Sequence, residues 1–191
     1  MSSQLIDRAR SLKRAGETEK GLAILLELAS EGEIDPMIEL AFWELDAGRR
    51  GESNEWMRRA ESALRPDDWD GHVSLHSAYQ MGLGEGDIEA QQRRALEHLE
   101  KVARAGNVVA QQTLALDFLR GLNGCELNVA EFEKWIQMAI RGGSLDAACV
   151  YAEYLCKNDR QLSPELIGEL RRGAGGSSRA RSLIEAIERS K

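Results

Sequence analysis

Residues 112–121 read Gln-Thr-Leu-Ala-Leu-Asp-Phe-Leu-Arg-Gly, and beyond a loop residues 133–147 read Glu-Lys-Trp-Ile-Gln-Met-Ala-Ile-Arg-Gly-Gly-Ser-Leu-Asp-Ala. In the first stretch Leu114, Phe118 and Gly121 are separated by four and then three residues. This spacing places the two apolar side chains on one face of a helix, and glycine is the residue that most readily ends a helix. The first stretch therefore predicts a helix that stops at the glycine.

The second stretch carries a different stripe. Trp135 precedes Ala139 by four residues, and Gly142 follows three residues after the alanine. A large apolar residue and a small one on the same face suit a helix that approaches its neighbour closely, because a methyl group adds little bulk at the contact. The two stretches together predict a pair of antiparallel helices, A and B.

We call the apolar pattern of the first helix the A stripe and that of the second helix the B stripe. Both stripes recur along the chain, and successive A stripes begin 34, 39 and 37 residues apart. The further A stripes are Ala41/Leu45/Gly48, Leu75/Tyr79/Gly82 and Tyr151/Leu155/Asn158, and the further B stripes are Leu25/Ala29, Trp56/Ala60 and Leu99/Ala103. No segment alternates between apolar and polar residues as a strand would. We therefore predict an all-α chain with helices at 4–15, 18–31, 36–48, 53–64, 69–82, 87–105, 107–121, 128–141, 144–157, 163–173 and 177–189.

Capping signals support these boundaries. Asp35-Pro36 and Ser163-Pro164 each place a short polar side chain before a proline, which is well tolerated in the first helical turn. Asn128 followed by Glu131 resembles a capping box. Trp56 and Trp135 hold equivalent positions on B helices, so both are predicted to lie in the core.

These patterns resemble the Sel-1-like repeat family over roughly residues 20–175, most clearly at 107–147. The family pattern of Ala, Leu-Gly-x-x-Tyr-x-x-Gly, a Trp or Tyr, Ala-Ala-x-x-Gly and a final Ala is matched with small substitutions. The matching residues are Ala110, Leu114, Ala115, Phe118, Gly121, Ala130, Trp135, Ala139, Gly142 and Ala147. The unit at 69–106 matches through Leu75, Tyr79, Gly82, Ala95, Leu99, Ala103 and Gly106.

The resemblance implies a right-handed α-solenoid, similar to tetratricopeptide repeats, that serves as a scaffold for protein contacts. It implies a single domain over 1–191, because a two-helix unit must stack on its neighbours to bury its apolar stripe. Within it we expect an N-terminal cap or degenerate unit at 1–31, repeats at 36–64, 69–106, 107–143 and 144–173, and a capping helix at 177–191. Leu183, Ile184 and Ile187 would be the inward residues of that last helix.

Net charge narrows the classes of partner. The chain carries −7 overall, but residues 31–100 carry −10 and residues 101–191 carry +2. An acidic middle disfavours nucleic acid and favours a partner protein with a basic surface. No apolar run is long enough for a membrane span, and residues 1–5 lack the features of a secretory signal.

The three cysteines, Cys125, Cys149 and Cys156, are too few and too irregularly spaced for a disulfide framework. We therefore expect reduced thiols and a cytoplasmic location. Cysteine-rich relatives of the family carry paired cysteines that are missing here, so any activity claimed for them does not transfer. No histidine is placed to activate Cys149 or Cys156 as a nucleophile.

Two other motifs suggest chemistry less strongly. His72 and His76 stand one turn apart and could hold a metal with Asp68 or Asp70, but their angular positions favour ordinary histidines at the boundary of the core. Glycines at 82, 84 and 86 are followed by Asp87 and Glu89, which would repel phosphate, so we predict an interhelical loop. No catalytic residue, metal or cofactor is predicted.

In stacked helix pairs the A helices line the concave face. We predict that a partner binds the A-helix positions opposite the core stripe. These positions are Glu39, Trp43, Asp46, Val73, Ser77, Gln80, Gln112, Leu116, Arg120, Glu153 and Lys157, with Cys149 on the same face. Trp43 has a competing interpretation, namely packing against the next A helix.

The leading functional interpretation is a non-catalytic adaptor, of a bacterial cytoplasmic kind, that binds a partner protein in this groove. One alternative is a bacterial immunity protein that occludes a cognate toxin, since relatives of the family occur beside secreted toxins. The other is a metal-binding protein or enzyme that uses His72 and His76.

Overall fold

A computed structural model describes residues 2–189, and these residues form eleven α-helices without a strand. The helices are α1 (Ser2–Arg14), α2 (Thr18–Ser30), α3 (Ile34–Asp46), α4 (Arg50–Ala63), α5 (Trp69–Gln80), α6 (Ile88–Arg104), α7 (Val108–Arg120), α8 (Val129–Arg141), α9 (Leu145–Lys157), α10 (Pro164–Gly173) and α11 (Ser178–Arg189). Each predicted helix is present within a few residues of its expected bounds.

The chain divides into two compact units, with the boundary between Val102 and Ala103 near the end of α6. In the first unit α1 packs against α2, α3 packs against α4, and α3 also contacts α2 and α5. In the second unit α7 pairs with α8, and α9 contacts α8, α10 and α11. The pairs α3–α4 and α7–α8 are those that the stripes predict, and α5 meets α6 through the contacts of His72 with His98 and of His76 with Ala95. The single domain over 1–191 stays a prediction.

Small residues lie at the helix contacts. The four alanines of the B stripes, at 29, 60, 103 and 139, are all buried. Gly21 on α2 fills the same role, since a Cβ there would meet the Ala9 carbonyl oxygen and the Trp43 ring at 2.8 Å each. The close approach of α2 to α1 and α3 therefore depends on the missing side chain at this position.

The A stripes form the cores of both units. Ala41, Leu75 and Tyr79 are buried in the first unit, and Leu114 and Leu155 in the second. Trp135 is buried as predicted. The prediction for Trp56 is only partly right, because its ring lies half-buried at the core edge, under the Arg59 guanidinium, while its neighbour Met57 is fully buried.

Capping confirms two of the three predicted helix starts. The Ser163 side chain accepts a hydrogen bond from the Leu166 amide at 3.2 Å, with Pro164 in the first turn. Asn128 accepts from the Glu131 amide at 3.1 Å. The expectation that Asp35 caps α3 is wrong, because α3 begins one residue earlier at Ile34, whose side chain is buried. Proline remains compatible with that start, since the first helical amides have no intrahelical acceptor.

The glycine-rich segment between α5 and α6 is an interhelical loop, as predicted. The Gln91 side-chain amide donates to the carbonyls of Gly82 and Gly84, and Asp87 accepts from the Ala90 amide to start α6. At the other end of the chain Leu183, Ile184 and Ile187 of α11 are partly buried against the core of the second unit, as expected. Within residues 2–189, no helix is both long and apolar enough to cross a membrane.

Candidate functional site

The predicted partner-binding positions of the first unit meet the basic helix α1. Glu39 is only 7% exposed, and its carboxylate accepts hydrogen bonds from Arg10 Nε at 2.9 Å and Nη2 at 2.6 Å. Its other oxygen accepts from Trp43 Nε1 at 2.7 Å. The ion pair also raises the pKa of Arg10. Because burying a charge is costly unless it is paired, Glu39 is held by α1 rather than left open.

Trp43 lies on α3 beneath the same helix. Its ring is 5% exposed, with the Lys13 ammonium 4.7 Å from the ring centroid. Lys13 also pairs with Asp46 at 3.0 Å, although the Asp46 carboxylate stays largely exposed. The predicted contact of Trp43 with a partner stays a prediction, and the residue now has a second role in fixing α1 to α3.

The α5 positions are more open. Val73 is 41% exposed, Ser77 is half-buried and Gln80 is exposed. Beside them Met81, which follows the last residue of α5, is 61% exposed. Val73, Met81 and half-buried Phe42 on α3 form an apolar strip, of which the sequence analysis identified Val73 but missed Phe42 and Met81. Phe42 could have been identified from the sequence, because it lies four residues after the apolar residue Ile38, beside the core stripe.

Two cavities follow this face of the first unit. The larger, about 730 Å³, is lined by Arg10, Lys13, Arg14, Glu39, Phe42, Trp43, Asp46 and Met81. The smaller, about 290 Å³, is lined by Ser3, Ile6, Asp7, Arg10, Asp35, Ile38, Glu39, Phe42, Val73, Ser74, Ser77 and Met81. The structure thus brings five of the six predicted residues of this unit around adjoining cavities, and Gln80 lies outside their linings. We call this surface the α1–α3–α5 face.

Charge is distributed unevenly between the two cavities. The smaller contains the carboxylates of Asp7, Asp35 and Glu39 against one cation, Arg10. The larger contains Lys13 and Arg14 in addition to Arg10. Arg10 is committed to Glu39 and lies 3.3 Å from Asp7. The smaller cavity therefore has surplus negative charge beside exposed apolar side chains.

In the second unit the predicted residues lie along α7 and α9. Gln112 on α7 accepts a hydrogen bond from Ser144 Oγ at 2.9 Å, which connects it to the start of α9. Leu116 is half-buried and Arg120 is exposed. No cavity described for this unit brings them together, so their partner contacts stay predictions.

Glu153 on α9 is occupied by the terminal helix α11. Arg179 donates to its two oxygens from Nε at 2.8 Å and from Nη2 at 2.7 Å, and it also pairs with Asp146. These hydrogen bonds lower the pKa of Glu153 and raise that of Arg179. Lys157 is exposed, and Cys149 is buried with a pKa raised by burial.

A further cavity, which the sequence did not indicate, lies between α8, α9 and α10. It encloses about 460 Å³, and its lining combines Tyr151, Leu155 and Leu166 with Arg141 and Glu165. Both signs of charge are present at its rim. Its composition does not select one class of ligand.

The histidines of α5 are buried, so the expectation of boundary histidines is wrong. His72 is 2% exposed, and its Nδ1 lies 2.8 Å from Nδ1 of His98 on α6. His76 Nδ1 lies 2.8 Å from the Ala95 carbonyl oxygen, to which it donates. At that distance one of the two imidazole nitrogens donates its proton to the other, so His72 and His98 form a hydrogen-bonded pair.

The surroundings keep this pair uncharged. Burial is the main cause that lowers the pKa of His98 to about 4, and His72, Lys101, His76 and Arg94 add repulsion. Burial also lowers the pKa of His72. Tyr79 stacks on His98 and donates a hydrogen bond to Glu61, while Arg94 donates to the Tyr79 oxygen. Burial and Glu61 raise the pKa of Tyr79.

The proposed metal ligands do not converge. Asp68 accepts from the Gly71 amide and caps α5, while His72 and His76 have the separate partners just described. Among residues 2–189 no three side chains of the types His, Cys, Asp and Glu are grouped so as to hold a metal ion. The arrangement is that of a polar cluster inside the core.

Consecutive helix pairs with small residues at their contacts define an all-α helical-repeat protein. Solved structures place this class more narrowly. A crystal structure of a Sel1 repeat protein from Oxalobacter formigenes matches 94% of this chain and 73% of its own chain, with 20% sequence identity and a TM-score of 0.53.

A second match is the crystal structure of c5321, a protective antigen present in uropathogenic Escherichia coli strains and described as displaying an SLR fold. It covers all of this chain, which spans only 42% of that protein, with 18% identity and a TM-score of 0.58. The chain thus has the Sel1-like repeat fold, and the predicted fold class, an all-α solenoid of helix pairs, is confirmed. No protein-family model and no curated protein matches the sequence.

Proposed function

We propose that the protein is a non-catalytic scaffold that binds a partner protein on the α1–α3–α5 face. The observation that carries this proposal is the apolar strip of Phe42, Val73 and Met81 beside adjoining cavities. Large apolar side chains that are left open along a groove mark interaction sites. The strip lies on the A helices, where a helical-repeat fold places its binding surface.

The energy of binding would come from the apolar strip, and the charges around it would select the partner. Glu39, Trp43 and Asp46 then support the face through α1, whereas Val73, Ser77 and Met81 meet the partner directly. Gln80 lies beside the strip. In the second unit, the proposed partner-binding positions are Gln112, Leu116, Arg120, Glu153 and Lys157.

Affinity capture with surface variants tests this proposal. Val73→Glu with Met81→Glu places two charges on the strip, so we expect the captured partner to be lost. Leu26→Glu is the matched control, because Leu26 is an exposed apolar residue of α2 away from the face. Equal recovery of the same proteins by the double variant and the control, measured by quantitative mass spectrometry, would contradict the proposed site.

The immunity-protein alternative uses the same face and differs only in the partner, a toxin encoded by a neighbouring gene. A bacterial, cytoplasmic setting belongs to the same proposal, and the irregular spacing of the three cysteines, which does not suit a disulfide framework, supports reduced thiols. The absence of a toxin-like neighbour would weaken the immunity alternative sharply.

The metal-binding alternative is tested separately. We expect added zinc to leave the thermal midpoint unchanged, because His72 and His76 are engaged with different partners. A zinc-dependent rise in the midpoint that His76→Gln abolishes would support the metal site.

A further inference from the structure

We infer that the smaller cavity of the α1–α3–α5 face takes a basic segment of the partner, with one Lys or Arg side chain in the cavity and an adjoining large apolar residue on the strip. This inference rests on the proposed function and names the chemistry of its partner.

The first argument is the charge left over after internal pairing. Arg10 is the single cation in the cavity lining, and its Nε and Nη2 both donate to one oxygen of Glu39, which leaves only Nη1 for Asp7. Asp7 shares Arg10 only through a 3.3 Å contact, and its side chain is 73% exposed. Asp35 is exposed and forms no ion pair with the described residues. Two carboxylates therefore face the cavity without full compensation.

The second argument is the chemistry of the remaining lining. Ser3, Ser74 and Ser77 place hydroxyl groups in the cavity, and hydroxyl oxygens accept hydrogen bonds from an ammonium or a guanidinium. Ile38, Phe42 and Val73 supply apolar walls. Lysine and arginine side chains carry a charged head on an apolar stem, so they match both parts of this lining.

The third argument is a precedent within the molecule. α1 is itself a basic helix, and it holds α3 through Arg10 to Glu39 and Lys13 to Asp46 while burying Ile6 and Ala9. Basic side chains beside small apolar ones thus already satisfy the acidic residues on one side of α3. A partner segment of the same character would complete the other side, where Asp35 faces the cavity.

The wider charge distribution favours the same sign of partner. Residues 31–100 carry a net charge of −10. Such a field raises the rate of association with a basic segment and is weakened by salt.

Fluorescence anisotropy with three labelled peptides of equal length tests the inference. The probes are a Lys/Leu peptide, a Glu/Leu peptide and a Lys/Ser peptide. We expect the Lys/Leu peptide to bind at least tenfold more tightly than either of the others, with an affinity that falls as salt is raised. Asp35→Asn should weaken binding of the Lys/Leu peptide about fivefold. The double variant with Asp7→Asn and Asp35→Asn should weaken it further.

Glu19→Gln is the matched control, since Glu19 is an exposed acid in the first turn of α2 and lies outside the cavity linings. It should change the affinity less than twofold. Equal binding of the Glu/Leu peptide, or equal effects of Asp35→Asn and Glu19→Gln, would overturn the inference about charge. If Met81→Ser still weakened binding of the peptides in that case, the face would stand and only the basic character of the partner would be rejected.

If Met81→Ser, which removes an apolar side chain without adding charge, left binding of the Lys/Leu peptide unchanged, the proposed face itself would be wrong. Circular dichroism of each variant verifies that the helical content is retained.

Discussion

At the scale of single residues, the buried carboxylate of Glu39 determines how α1 is attached. It accepts hydrogen bonds from Arg10 and Trp43, so one acid on α3 fixes a helix and an indole ring. An acidic residue at this position could be identified from the helical stripe. Its partner could not, because Arg10 is 29 residues away in sequence and only the packing of α1 brings it near.

Arg10→Ala tests the strength of this attachment. The variant removes two hydrogen bonds to a buried carboxylate, so we expect a loss of about 1–2 kcal/mol in the free energy of unfolding. Urea denaturation measures the change. Arg8→Ala is the control, since Arg8 is an exposed arginine of the same helix. Equal stabilities of the two variants would show that Glu39 does not depend on Arg10.

The buried histidine pair makes a prediction about pH. An unfolded histidine titrates near 6.5, whereas His98 in the folded chain has a pKa of about 4. The unfolded state therefore binds more protons between these values, and stability falls as pH drops from about 6.5 to about 4. Protonation of this group is expected to lower the free energy of unfolding by about 3 kcal/mol.

Chemical denaturation at a series of pH values measures this loss, with His98→Gln as the comparison. The free energy of unfolding of the variant should still fall below pH 5, where carboxylates become protonated. It should lack most of the fall that the wild-type protein shows between pH 6.5 and 5. A wild-type profile parallel to that of His98→Gln would contradict the buried neutral pair.

At the scale of the helices, the apolar stripes predicted the number of helices and their approximate bounds among the described residues, because each helix must bury one apolar face. The exact starts were less predictable. α3 begins at Ile34 since burial of that side chain outweighs the capping preference of Asp35. The N-caps Asp68, Asn107 and Ser144 each accept a backbone amide three residues later, and short polar residues before an apolar stripe could have identified them.

Two glycines inside helices give opposite predictions. Gly168 in α10 has open space around its Cβ position, so Gly168→Ala should raise stability by about 1 kcal/mol through helix propensity. Gly21 in α2 lies against Ala9 and Trp43, so Gly21→Ala should lower stability by about 1–3 kcal/mol despite the same propensity gain. Thermal and urea denaturation of both variants decide the matter, and stabilisation by Gly21→Ala would contradict the tight contact of α2 with α1 and α3.

At the scale of the whole molecule, the sequence indicated the repeat fold and the face that carries the open residues. It did not indicate which of those residues would be covered. Glu39 and Glu153 both looked like free acids on A helices, yet each is held by an arginine from the first or the last described helix. The open surface instead centres on Phe42, Val73 and Met81, which only the packing of α1, α3 and α5 exposes together.

Hydrogen–deuterium exchange of the chain alone and bound to its captured partner tests the central claim most directly. The account predicts slower exchange in the peptides that cover α3 and α5, around residues 35–46 and 69–81, and unchanged exchange in α2 and α4. Protection confined to α2 and α4, or to the second unit, would contradict the α1–α3–α5 face as the binding surface.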